Sequence, residues 1–143
     1  MESLPNRVSA HLVFATLALV LLAIVAFQPA ERRSQASGRD VGIPEAIALI
    51  DSGAAVIDVR ERSVSASAHL PGAMLIPLET LSAQMPQLEA AAAKDRALVV
   101  YCGNGSTRGP EAARRLRDAG YTRTVNLAAG AEGWRAAGMP VAN

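Results

Sequence analysis

Cysteine, aromatic side chains and net charge are all scarce in this chain. Its one cysteine, Cys102, excludes an internal disulfide and a zinc site built from several cysteines. Aromatic residues make up 3% of the sequence, so any core is aliphatic and rich in alanine. The net charge of +1 gives no electrostatic reason to expect a nucleic-acid partner. Internal repeats and low-complexity tracts are also missing, and 143 residues allow one modest domain with an appendage.

One long apolar run, residues 8–27, carries no charged side chain. As a helix this run would rise about 30 Å, the thickness of a bilayer core, so it predicts a single-pass transmembrane helix and a membrane location. It divides the chain into an N-terminal tail (1–7), the membrane segment (8–27), a polar linker (28–40) and a domain (41–143).

Two questions about the N-terminal region stay open. A cleaved signal peptide, giving a secreted or periplasmic product, is the competing interpretation of the apolar run. Its apolar part would be unusually long and its cleavage site, at 34–36, would follow charged residues, so an uncleaved anchor is favoured. The flanking arginines lean towards a cytoplasmic domain, whereas a default N-terminal anchor places the domain outside. The side of the membrane is therefore undetermined.

Residues 41–143 alternate between strand and helix patterns. Apolar, β-prone runs predict strands at 54–59, 73–76, 97–101 and 124–127. Helices are predicted at 44–50, 110–119, 132–137 and, in two short pieces separated at Pro86, within 78–93. Such alternation predicts an α/β domain with a parallel sheet flanked by helices on both faces. Ligands of such sheets bind beyond the carboxyl ends of the strands, where Cys102 stands.

Cys102 opens a loop of glycine and small polar residues that leads into a helix. The members that follow it are Gly103, Asn104, Gly105, Ser106, Thr107 and Arg108. Such residues let backbone N–H groups converge on an anion, and Pro110 suits the first position of a helix. The amides, the helix N-terminus and Arg108 would all favour the thiolate form of Cys102. We therefore predict a thiolate nucleophile in an oxyanion cradle, against the alternative of an inert buried cysteine.

Other polar residues receive supporting interpretations. Asp58 and Arg60 stand at a strand end and are interpreted as a structural ion pair rather than as an acid and a substrate clamp. His69 precedes a Pro-Gly turn and is interpreted as a hydrogen-bond partner that fixes this turn. Trp134 is expected to pack the last helix on the sheet. Neither a metal ion nor an organic cofactor is expected.

The order of these motifs resembles the rhodanese family over almost all of residues 41–143. The matching stretches are 56–61 (Val-Ile-Asp-Val-Arg-Glu), 69–73 (His-Leu-Pro-Gly-Ala), Tyr101-Cys102 with Gly105, 120–121, 127–130, Trp134 and 138–141. The resemblance implies a single rhodanese domain in which Cys102 carries sulfur. In that family the thiolate takes sulfane sulfur from a small-molecule donor, becomes a persulfide and passes the sulfur to a thiol or cyanide-like acceptor.

The loop departs from the common sulfurtransferase pattern. The helix start predicted at Pro110 makes residues 102–108 a loop of seven residues, one more than is usual there. The pattern of a cysteine followed by five residues and an arginine resembles the loop of phosphatases of the cell-division-cycle type and of eukaryotic arsenate reductases. The larger loop of those enzymes admits a tetrahedral oxyanion. Tyr101, however, stands where those phosphatases have histidine. A sulfurtransferase is the leading hypothesis, a phosphatase or arsenate reductase the second, and a non-catalytic partner-binding or redox-sensing module the third.

Overall fold

A computed structural model describes residues 39–143; the predicted tail, the membrane segment 8–27 and most of the linker lie outside the described residues. Five strands form the sheet of the described part, in the spatial order β1-β5-β4-β2-β3. They are β1 Asp40–Val41, β2 Ala55–Asp58, β3 Met74–Leu75, β4 Leu98–Tyr101 and β5 Thr124–Leu127. Every pairing is parallel, so the predicted parallel sheet is confirmed. Within residues 39–143, no helix is both long enough and apolar enough to cross a membrane.

Helices connect the strands. They are α1 Ile43–Asp51, α2 Arg62–Ser65, a 3-10 helix Leu78–Thr80, α3 Met85–Ala91, α4 Arg108–Asp118 and α5 Gly130–Ala136. Pro86 lies in the first turn of α3, where a missing N–H costs no intrahelical hydrogen bond. The one-turn helix α2 and the two-residue strand β1 were not predicted from the sequence, because elements this short carry no periodic pattern.

Successive residues of β4 face opposite sides of the sheet, as the period of a strand requires. Leu98, Val100 and the following Cys102 lie in a core covered by α3 and α4. Val99 and Tyr101 lie in a second core covered by α1 and α5. Helices therefore flank both faces, as the sequence predicted. Burial on both sides explains why β4 is a continuous apolar run rather than an alternating one.

The central position of β4 places Cys102 among three chain segments. β4 lies between β2 and β5, and all three strands run in the same direction. Asp58, at the end of β2, is in register with Tyr101, at the end of β4. Since the carboxyl ends of parallel strands meet at one edge, the segments that follow β2, β4 and β5 gather around the cysteine.

Candidate active site around Cys102

Cys102 is the first residue after β4 and its side chain is buried. The residue is 2% exposed, and its Sγ lies 3.9 Å from Oδ1 of Asn104, which accepts a weak hydrogen bond from the thiol. The same Asn104 oxygen accepts hydrogen bonds from the backbone N–H of Ser106 at 3.1 Å and from its hydroxyl at 2.9 Å. Asn104 thus folds the loop over the sulfur through a local turn of the kind that short amide side chains favour.

The loop carbonyls bind the first turn of α5. The N–H groups of Ala131 and Glu132 donate to the carbonyl oxygens of Cys102, at 2.8 Å, and Gly103, at 2.9 Å. The described residues contain no cis peptide bond, and in a planar trans peptide the N–H points opposite to the C=O. The N–H groups of Gly103 and Asn104 are therefore directed away from α5.

Many backbone donors of the loop have no acceptor among the described residues. Within residues 39–143, no hydrogen bond uses the N–H of Gly103, Asn104, Gly105, Thr107, Arg108 or Gly109. Asn104 and Thr107 are exposed, and Arg108 and Gly109 open α4, where the first N–H groups have no intrahelical acceptor. The loop that follows the thiol therefore offers backbone donors to water or to an anion. Of the predicted cradle residues, Asn104 contacts the Cys102 sulfur. The role of residues 103–107 as an anion cradle stays a prediction.

Two glycines allow the loop to approach its neighbours. Gly105 has a positive φ of 76°, and a Cβ there would overlap the carbonyl of Ala128. Gly130 has a φ of 58°, and a Cβ there would overlap the carbonyl of Gly103. Both positions combine a left-handed backbone with direct contact between chain segments, so only glycine fits without displacement.

Arg108 lies in a different environment from the one predicted. Helix α4 begins at Arg108 rather than at Pro110, so the loop proper comprises residues 102–107. Pro110 is tolerated within the first turn because the first four helical N–H groups have no intrahelical acceptor. Arg108 Nη2 donates to Glu61 Oε1 at 3.0 Å, and Nη1 lies 2.7 Å from Glu79 Oε1 without hydrogen-bond geometry. The guanidinium is thus engaged by two carboxylates, and among the described residues it forms no hydrogen bond with Cys102.

Asp58 and Arg60 form the predicted ion pair, buried below the loops. Arg60 Nη2 lies 2.7 Å from Asp58 Oδ2, and the backbone N–H of Arg60 donates to Asp58 Oδ1 at 3.0 Å. Ser65 and Tyr101 also donate to Asp58 Oδ2, at 2.7 and 2.8 Å. The Tyr101 hydroxyl in turn accepts from the N–H of Leu70 at 3.1 Å. The Asp58 carboxylate therefore links the segment that follows β2 to strand β4.

Burial and hydrogen bonding act in opposite directions on Asp58. Burial by itself raises the pKa of this carboxyl, but donation by Arg60, Ser65 and Tyr101 outweighs it and lowers the pKa below the ordinary value. Burial raises the pKa of the Tyr101 hydroxyl, which therefore stays protonated and donates. A fully bonded carboxylate of this kind serves to hold loops in place rather than to exchange protons.

His69 contacts the C-terminal tail rather than the cysteine loop. Its backbone N–H and C=O pair with Ala142 at 2.9 and 2.8 Å, as an isolated antiparallel bridge. The residue lines a pocket together with Arg62 and Ser65. The interpretation of its imidazole as the partner that fixes the turn remains a prediction. Within residues 39–143, no group of three His, Cys, Asp or Glu side chains is placed to hold a metal ion.

This geometry agrees with the comparison of the chain with known protein families. Residues 43–137 match the rhodanese-like domain family. The chain belongs to this family. This membership confirms the family resemblance from which the fold was predicted. The sheet, the flanking helices and the loop at the end of β4 all belong to one known architecture.

Sulfurtransferases are among the relatives of this rhodanese-like domain. A sulfurtransferase of Allochromatium vinosum is 30% identical over 86 residues, covering 60% of this chain and 76% of that protein. Human thiosulfate:glutathione sulfurtransferase is 34% identical over 110 residues, covering 66% and 90%. Arsenate reductase 2.1 of rice is 30% identical over 95 residues, covering 61% and 59%. The solved structure of the human single-domain sulfurtransferase TSTD1 has a TM-score of 0.62 and 30% identity, covering 68% of this chain and 96% of its own.

Three residues that hold this rhodanese-like domain together around the loop were missed in the sequence. Ser65 and Tyr101 bind Asp58, and Asn126 binds the carbonyl of Gly105 at 2.8 Å. Asn126 carried a usable signal, because an amide in the middle of the apolar run 124–127 must find buried partners. No comparable sequence signal marked Tyr101, since a tyrosine at the end of a strand is common.

Proposed function

We propose that this rhodanese-like domain is a sulfurtransferase that carries sulfane sulfur as a persulfide on Cys102. In the first step the Cys102 thiolate attacks the outer sulfur of a donor such as thiosulfate, an S–S bond forms to Cys102, and sulfite leaves with the electron pair of the broken bond. In the second step an acceptor thiolate attacks the outer sulfur of the persulfide. The Cys102 thiolate leaves, and the acceptor becomes a persulfide.

The observation that carries this proposal is the set of free backbone donors beside Cys102. The carbonyls of Cys102 and Gly103 are bound by α5, so the loop presents N–H groups rather than oxygens on its other side. Neutral N–H dipoles stabilise a compact anion such as a thiolate or a terminal persulfide sulfur without a long cationic side chain. The similarity to sulfurtransferases supports the same chemistry.

A phosphatase or arsenate reductase is the second candidate, because of the spacing from Cys102 to Arg108 and the similarity to a rice arsenate reductase. That chemistry calls for the arginine to hold two oxygens of a bound tetrahedral anion. Arg108 is instead paired with Glu61 and Glu79, whose charges compete with any such anion. This contact favours sulfur transfer over oxyanion chemistry. A non-catalytic partner-binding or redox-sensing module is the third candidate.

We also propose that residues 8–27 anchor the protein in a membrane as a single span. The support is the charge-free length of the run, which matches a bilayer core. The side on which the domain lies, and cleavage of the segment as a signal peptide, are separate questions that the topology of the expressed chain answers.

The test uses the full-length protein and Cys102→Ser. Each is treated with thiosulfate or mercaptopyruvate and examined by mass spectrometry, and transfer to a thiol or to cyanide is measured. We expect one added sulfur atom and acceptor turnover in the wild type alone. Turnover of an aryl phosphate or arsenate instead supports the second candidate, and no turnover with any of these substrates supports the third. Sulfur loading that survives Cys102→Ser would falsify the role given to this residue.

A further inference from the structure

Asn126 is a fully buried amide that binds two other parts of the molecule at once. It lies in β5 and is 0% exposed. Its Nδ2 donates to the carbonyl oxygen of Gly105, at 2.8 Å, and to Oδ1 of Asp40, at 2.9 Å. The carboxamide therefore connects the cysteine loop to β1 and β5.

The orientation of this amide is determined by its partners. Both atoms that contact Nδ2 are oxygens that only accept, so the reverse orientation would set oxygen against oxygen twice. Oδ1 consequently faces the first turn of α4, where a Cβ at Gly109 would overlap it. The same Cβ would lie 3.5 Å from Cys102 Sγ, so Oδ1 and the sulfur are neighbours. Oδ1 has no conventional hydrogen-bond donor among the described residues.

The effect of Asn126 reaches the sulfur through one peptide group. The peptide between Gly105 and Ser106 is held at both ends: Asn126 binds its carbonyl, and Asn104 Oδ1 accepts from its N–H at 3.1 Å. Asn104 Oδ1 is also the atom that lies 3.9 Å from Cys102 Sγ. A planar peptide transmits any tilt at one end to the other, so a loss at Asn126 displaces Asn104.

We propose that Asn126 is a positioning residue for Cys102, acting through the Gly105–Ser106 peptide on Asn104. It touches neither donor nor acceptor. It fixes the loop so that the free N–H groups and Asn104 keep one arrangement around the sulfur during transfer. The proposal rests on the sulfurtransferase function and adds to it the residue that maintains the geometry of the loop.

The test compares Asn126→Ala and Asn126→Asp with Thr124→Val. Thr124 is equally buried in the same strand, and its hydroxyl donates to Tyr121 at 2.7 Å, at the opposite end of β5 from the loop. We expect the Asn126 variants to lose about tenfold or more in the sulfur-transfer rate per folded molecule, because small displacements of reacting groups are costly. Thr124→Val is expected to lose stability alone. Hydrogen exchange of the Ser106 amide should accelerate in the Asn126 variants only.

A double-mutant cycle with Asn104→Ala separates positioning from general destabilisation. If Asn126 acts through Asn104, the double variant is no slower than the slower single variant. Additive losses, or an Asn126 variant that is less stable yet transfers sulfur at the wild-type rate, overturn the proposal. If neither Asn126 variant folds, Asn104→Ala provides the test. An unchanged transfer rate in Asn104→Ala would overturn the proposal, because Asn104 is the residue through which Asn126 would act on the sulfur.

The failure of the sulfurtransferase function itself gives a different result. In that case the wild type transfers no sulfur, and the alkylation rate of Cys102 with iodoacetamide replaces turnover as the readout. A rate that differs more than about threefold from wild type in Asn126→Ala, but not in Thr124→Val, still supports positioning of the sulfur. Equal rates in all three proteins overturn it.

Discussion

The Arg108 guanidinium and the Glu79 carboxylate lie 2.7 Å apart, with Glu61 on the other guanidinium nitrogen at 3.0 Å. The arginine that follows the cysteine loop is thus committed to carboxylates from two other segments of the chain. Arg108 is 32% exposed in its side chain, and its partners are more exposed, so each pair contributes little to stability. These two carboxylates compete with any oxyanion for the Arg108 guanidinium.

Arg108→Lys is expected to reduce sulfur transfer less than about tenfold. In the proposed sulfurtransferase the backbone amides hold the persulfide, and lysine retains the positive charge that attracts an anionic donor. Where arginine holds two oxygens of a transition state, the same change costs about 2–4 kcal/mol, or roughly 30- to 1000-fold. Donor-dependent transfer is measured beside Arg114→Lys, an exposed position on α4 that should not respond. A hundredfold loss in Arg108→Lys, with arsenate or phosphate turnover in the wild type, would favour the second candidate function.

Glu61→Gln combined with Glu79→Gln is expected to strengthen inhibition by inorganic phosphate about three- to tenfold. Removing both carboxylates leaves the Arg108 guanidinium available to an oxyanion, and each exposed pair lost is worth about 0–1 kcal/mol. The measurement is the inhibition constant of phosphate in the transfer assay. Glu111→Gln combined with Asp118→Asn is the matched control, because these carboxylates pair with Arg114 on α4. Equal changes in both double variants would show an effect of net charge alone.

Asp58→Asn is expected to destabilise the fold by about 3 kcal/mol or more at pH 7, since Arg60 then lacks its buried partner. The pKa of Asp58 is lowered in the folded state, so its contribution is complete above the unfolded value of about 4. The contribution disappears as the pH falls through the lower folded pKa. The difference in unfolding free energy between wild type and variant should therefore shrink below about pH 4. Denaturant unfolding at pH 7, 4.5 and 3 measures it, and a difference independent of pH would contradict the assignment.

The full-length protein is expected to stay in the membrane pellet after carbonate extraction, because residues 8–27 carry no charge to offset insertion. A chain lacking residues 1–37 should be found in the soluble fraction. The two fractions are compared by immunoblot, together with the apparent size of the full-length protein. A shortened product found wholly in the soluble fraction would support cleavage as a signal peptide instead.

Local patterns were enough to predict the α/β class, the parallel sheet, the thiol at the end of β4 and the ion pair of Asp58 with Arg60. Each of these depends on neighbours in the chain: an apolar run makes a buried strand, small residues after it make a loop, and two charges two positions apart at a strand end can meet. The sequence predicts a start of α4 at Pro110, two residues late, because proline favours the first helical position and is also tolerated at the third.

Only the tertiary structure decided which distant groups hold the segments next to Cys102 in place. The residues that these hydrogen bonds join are far apart in the sequence: Asn126 and Gly105 by 21 positions, Arg108 and Glu61 by 47, and Tyr101 and Asp58 by 43. No local propensity encodes such pairs, because they exist once parallel strands bring their carboxyl ends to one edge of the sheet. The sequence by itself thus determined which residue carries the thiol at the end of β4. The register of the strands determined which side chains hold the loop around it and which carboxylates bind Arg108.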